Sequence, residues 1–159
     1  MPKKSSKLNT IQKDAQRIAE AISSSLELET EIVDEMLTIV AGTGRYKDMV
    51  GLKEEGGDPQ AGYIYGRVVT KGRAEIVEDA PNDPKYDPSV RNGTTNELAE
   101  ICYPIIAHGQ VLGVIGLVAF TEAQRHLLLK RKNQLLDFVH RMADLLASKA
   151  IETETLQNM

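Results

Sequence analysis

The chain has 159 residues, 42% of them hydrophobic, and a formal net charge of -4 with acids and bases interspersed. That is one domain's worth of chain with enough apolar side chains for one core, no basic stripe to attract nucleic acid, and no apolar run long enough to span a bilayer. Its single cysteine excludes an internal disulfide, a cysteine-rich metal site and a cysteine-pair redox cycle.

Residues 1–7 are polar and expected to be disordered; they include lysines but no apolar signal-peptide core, so a cytoplasmic protein is expected. A helix begins at Asn9 or Thr10, with Leu8, Ile11, Ala15, Ile18, Ala19, Ile22 and Leu26 spaced by three and four. In ETEIVDEMLTIVAGTG, Ile32 and Val33, then Leu37, Ile39 and Val40, read as two strands around a turn near Asp34 and Glu35. The acids Glu27, Glu29, Glu31, Asp34 and Glu35 read as a solvated edge. Residues 51–59 form a turn-rich, acidic loop. Residues 60–71 favour one or two helical turns closed by Gly72, and 74–80 a short strand. Residues 81–96 hold three of the six prolines and an Asn-Gly pair, the mark of a long irregular loop.

The stretch 98–120, LAEICYPIIAHGQVLGVIGLVAF, has two Ile- and Val-rich runs flanking His108-Gly109, a β-hairpin pattern. A two-residue turn pairs Ala107 with Gln110. It sets Ile101, Tyr103 and Ile105 on one face with Gly116, Val114 and Leu112, and Cys102, Pro104 and Ile106 on the other with Ile115, Gly113 and Val111. Neither face is polar, so the hairpin belongs inside a layered domain. Pro104 lacks an N–H and is expected at an edge or bulge. Thr121 and Gln124 form a capping box, after which one helix of nearly thirty residues, roughly 40 Å long, is predicted. Its apolar residues fall on more than one stripe, which suits burial against a second copy. Residues 151–159 read as a polar tail, leaving 8–150 as the domain.

The chemistry-bearing residues are few. No nucleophile elbow, HExxH motif or close carboxylate pair within an apolar strand is visible, so no catalytic residue is assigned. His108, His126 and His140 lack ligand spacing, and no metal site is expected. Gly42-Thr43-Gly44-Arg45 lacks phosphate-loop spacing and reads as a strand end. Arg45, Tyr46, Tyr63, Tyr65, Arg67 and Tyr86 form a more suggestive set, because Tyr and Arg beside an apolar wall suit an organic anion. Taken singly, each reads as a polar rim on the core. Cys102, inside an apolar strand, reads as a small buried hydrophobe.

Residues 61–87, AGYIYGRVVTKGRAEIVEDAPNDPKYD, resemble the middle of a GAF domain, and 98–120 resemble the GAF hairpin. More narrowly, EIVDEMLTIVAGTGRYKDMVG, AEICYPI and FVHRMADLLASKAIE resemble the N-terminal sensor region of bacterial sigma-N-dependent activators. There the sensor precedes PAS, AAA+ and helix-turn-helix modules, none of which occurs in these residues. The resemblance implies an α+β fold: a GAF-like antiparallel β-sheet with the N- and C-terminal helices on one face and a loop and short-helix insert on the other. It also implies a small-molecule sensor rather than an enzyme, with a ligand of unassigned identity between the sheet and residues 45–95. Arg45, Tyr46, Tyr63, Tyr65, Arg67, Tyr86 and Cys102 are the candidate ligand-binding residues, and no cofactor is assigned. The expected partners are a small-molecule ligand and a second copy bound through the terminal helices, with no direct contact to nucleic acid or membrane. The cyclic-nucleotide, bilin and methionine-sulfoxide-reducing signatures of GAF domains are absent. So are the loop cysteines that many activator sensors carry before the AEIC segment. A ligand-free dimerisation or docking module is the alternative; a one-cysteine redox or metal sensor is a third possibility.

Overall fold

The computed structural model describes residues 5–86 and 96–159. A 3₁₀ turn, Asn9–Ile11, leads into α1 (Gln12–Leu26). There follow β1 (Glu29–Asp34), β2 (Ile39–Gly42), α2 (Ile64–Lys71), β3 (Glu75–Val77), β4 (Ala99–Ala107), β5 (Gln110–Ala119), α3 (Glu122–Lys130) and α4 (Lys132–Gln157). The strands form one antiparallel sheet in the order β2-β1-β5-β4-β3.

Each face of the sheet covers a separate core, as the doubly apolar hairpin requires. Ile32, Ile101, Ile105, Ile115 and Leu117 pack with Ala15, Ala19 and Ile22 of α1 and with Leu135, Val139 and Leu146 of α4. On the opposite face Val33, Cys102 and Val114 pack with Ile64, Tyr65 and Val68 of α2, with Val77 and with Tyr86. The fold is therefore the α+β arrangement the sequence implies. α2 ends where Gly72, at φ +64, returns its N–H to the Val68 carbonyl, and Glu27 closes α1 in the same left-handed conformation.

Two local expectations need correction. His108 and Gly109, at φ +51 and +75, make the tight turn, and Ala107 does face Gln110. The register then slips between Ile105 and Ile106: Ile106 opposes Val111, but Ile105 opposes Gly113, leaving Leu112 as a bulge residue. Beyond the bulge every partner moves by one, so Cys102 lies opposite Gly116 and Ile101 opposite Leu117. The face that holds Cys102 therefore holds Gly116 and Val114 rather than Ile115 and Gly113. Among the described residues, β3 pairs with β4 only at Glu100, Ile101 and Cys102, so Pro104 lies where β4 has become an edge.

The second correction concerns the long helix. It breaks at Arg131, at φ -106 and ψ 21, into α3 and α4. Neither Gly nor Pro marks the break. Of the three consecutive leucines only Leu128 is fully buried, and α4 runs on through the polar stretch to Gln157. The Thr121–Gln124 capping box forms as read from the sequence. Thr121→Ala should lower stability by about 1 kcal/mol in urea unfolding monitored by circular dichroism. Among the described residues no helix is long and apolar enough to cross a membrane. Most of the predicted 81–96 loop lies outside the described residues.

Candidate functional site

Strand alternation and two glycines bring a set of acids under α2. Glu31 of β1 lies between Gly42 of β2 and Gly116 of β5, and Gly116 in turn faces Cys102 of β4. Glu100 is two residues from Cys102 and so shares its face. Glu97, just before β4, joins them. Glu31 is 0% exposed, Glu100 1% and Glu97 8%. Tyr46, Tyr65 and Tyr86 close over this face, none more than 4% exposed. Glu31 thus departs from the solvated edge expected of its acid run. β1 is an interior strand, and the acid's alternation places it inward, opposite two residues with no side chain.

The Tyr46 hydroxyl donates to Glu97 Oε1, and the Tyr86 hydroxyl donates to Glu100 Oε2. The remaining polar atoms are short of partners: both Glu31 oxygens, Glu100 Oε1 and the Tyr65 hydroxyl are buried without a hydrogen bond of ordinary geometry. Tyr65 Oη nevertheless lies near enough to Glu31 and Glu100 to act on their ionisation. A Cβ at Gly116 would collide with that hydroxyl and come within 3.2 Å of Glu100 Oε1, which places all three groups around one spot.

Burial disfavours the charged carboxylates and outweighs the hydrogen bonds that favour them. Loss of solvent, then the charge of Glu54 and of Glu97, pushes Glu31 well above the ordinary carboxylate range. Loss of solvent and Glu97 do the same to Glu100. Glu97 rises to about 7 through burial, with Tyr46, Tyr86 and Arg45 holding it back. The cluster is thus a nest of largely neutral carboxylic acids and phenols. The Cys102 thiol is pushed well up, first by burial and then by Glu100, which makes it a poor nucleophile. Among the described residues no three His, Cys, Asp or Glu side chains are arranged to hold a metal.

The structure gathers Tyr46, Tyr65, Tyr86 and Cys102 of the candidate set around the acids. Arg45 is exposed at the margin, its guanidinium 3.7 Å above the Phe120 ring. Tyr63 is half-buried at the start of α2. Arg67 turns to β3, where its Nε is 3.0 Å from Glu75 Oε1; Glu75, though partly desolvated, is held below the usual carboxylate range by Arg67 and Lys85. Sequence reading missed Glu31, Glu97 and Glu100. The available signal was Glu100, a charged residue inside a strand otherwise apolar on both faces.

Glu55 anchors the roof. Its carboxylate accepts from the Tyr65 N–H at 2.8 Å and the Gly66 N–H at 2.9 Å, serving two orphan donors of α2. Glu55→Ala should cost about 1 kcal/mol and raise amide exchange in α2 above that in α4, read by hydrogen–deuterium exchange. Two described clefts lie elsewhere: one of about 390 Å³ beside Lys7, Glu35 and Val111, and one of about 640 Å³ between the β4–β5 turn and α4.

A sequence model of the GAF domain matches residues 8–130. The chain belongs to the GAF family. Against the "Putative uric acid sigma-54-dependent transcriptional regulator UacR" of Escherichia coli K12 this GAF chain is 30% identical over 147 residues, covering 92% of itself and 24% of that protein. It spans about a quarter of the relative's length. Two solved structures share the fold. The type II free methionine-R-sulfoxide reductase of Thermoplasma acidophilum has a TM-score of 0.63 at 18% identity, over 92% of this chain and 96% of that one. The A. aeolicus nlh2 GAF domain, in an inactive state, has a TM-score of 0.61 at 18% identity, over 95% and 91%. GAF folds thus include both regulators and enzymes.

Proposed function

We propose that this chain is the small-molecule-sensing GAF domain of a sigma-54-dependent transcriptional regulator, signalling through its terminal helices as a cytoplasmic homodimer. The observation that carries the reading is the buried acid–tyrosine cluster on the sheet face opposite α1 and α4. Four of its polar atoms lack a hydrogen bond of ordinary geometry, and native proteins rarely leave such groups so unless something else completes them. Ligand contacts made there bear on β1, β4 and β5, whose other face carries the terminal helices. Leu145 and Leu156 of α4, 41% and 63% exposed, are apolar surface for a second copy to cover.

The likeness to the E. coli regulator supports a regulatory role, and its name makes uric acid the first compound to test. The lone, buried cysteine supports a role without redox catalysis. Thermal-shift measurement with uric acid within a metabolite panel, followed by native mass spectrometry, tests the proposal. The expected result is a ligand that raises the melting temperature and binds a dimer. The close packing of Tyr46, Tyr65 and Tyr86 favours the second reading, a docking module whose pocket no longer binds; a panel without a single stabilising compound would select it.

A further inference from the structure

We propose that Glu31 and Glu100 recognise a planar nitrogen heterocycle with cyclic-amide edges, each carboxyl group pairing one edge as donor and acceptor at once. The inference rests on the reading of this face as the sensor site and names the chemistry of its ligand. Neither Glu31 oxygen has a hydrogen bond of ordinary geometry, nor has Glu100 Oε1, while Glu100 Oε2 already accepts from Tyr86. These atoms converge on Gly116, where the space left by the missing Cβ is taken by the Tyr65 hydroxyl. Tyr65 Oη faces both carboxyls and fills the space beside Gly116, so it is the group that moves as the ring enters.

The choice of edge follows from the groups that face the acids. Glu54, Glu97 and Tyr65 bear on Glu31; Glu97, Tyr65, Tyr86 and Cys102 bear on Glu100. Arg45, the base that acts on Glu97, is exposed. Acids crowded together out of water keep their protons. A protonated carboxyl offers an O–H beside a C=O, the complement of the N–H beside C=O on a cyclic amide. A cationic ligand would first have to drive those protons out.

Isothermal titration calorimetry of this chain with uric acid, xanthine and caffeine at one fixed pH tests the pairing. Caffeine is xanthine with its N–H groups methylated and its carbonyls kept. Uric acid or xanthine should bind, and caffeine at least about tenfold more weakly. Glu31→Gln carries the same donor–acceptor pair and should hold the dissociation constant within about threefold, whereas Glu31→Leu should weaken it about 10–100-fold. Comparing variants at one pH cancels any ionisation of the probe, and circular dichroism verifies that both variants fold. Equal binding of caffeine, or a loss in Glu31→Gln as large as in Glu31→Leu, overturns the pairing. Guanidinium binding that Glu31→Gln abolishes does so too and leaves the sensor reading standing. If none of these probes binds, the ligand class is wrong, and the metabolite panel alone then decides whether the face senses anything.

Discussion

Glu31→Leu should make the unliganded domain more stable and, on the sensing role proposed above, weaken its response to ligand. The carboxyl is fully buried, lacks a hydrogen bond of ordinary geometry, and sits among Glu54, Glu97 and Glu100. Leucine is of similar size, suits the neighbouring Val33 and Val114, and removes a desolvated polar group. Exchanges of this kind gain about 1–3 kcal/mol, or roughly 3–10 °C in melting temperature for a domain of this length. Calorimetric melting of the two proteins side by side decides it. A lower melting temperature for Glu31→Leu would mean that the acid holds the fold together, and the case for a binding role would fail.

The same acids make stability fall as pH rises. Glu97 titrates near 4.5 when unfolded and at about 7 when folded, because burial disfavours its charge. Between those values the folded chain binds more protons than the unfolded chain, so its contribution is full below about pH 4.5 and is gone by about pH 7. For Glu97 alone that is on the order of 3 kcal/mol. Glu31 and Glu100, raised further, extend the decline to higher pH. Urea unfolding at half-unit steps from pH 5 to 8 should show a steady drop, and Glu97→Gln, which still accepts from Tyr46, should flatten it. A profile level across that range would mean that these carboxyls are ionised in the folded state.

The helices, the hairpin and the two-sided sheet were legible because hydrophobic period and turn chemistry are local. α1, the His108-Gly109 turn, the Gly72 stop and the Thr121 cap each follow from a few adjacent residues. The bulge at Leu112 was not legible: it depends on how β5 accommodates β1 and β4 together, and a register written from the turn outward runs straight through it. The break at Arg131 has no Gly or Pro to signal it. Around the acids, Tyr46, Tyr65 and Tyr86 were legible by type and Cys102 by its strand, whereas Tyr63 lies apart. The acids were missed because Glu31 looks like one more charge in an acidic run until Gly42 and Gly116 are seen on either side of it. Arg67 suggested an anion, yet its partner is Glu75, eight residues away across the turn after α2.

The sheet that divides the two cores is a single layer. Glu31 and Ile32, or Ile101 and Cys102, are successive residues of one strand, one touching the acid nest and the other the bed on which α1 and α4 rest. No intervening thickness can absorb a displacement, so a strand pried sideways at Gly116 tilts its own underside. For the sensing role proposed above, the domain is built less like a box with a lid than like a drumskin, its two faces moving together.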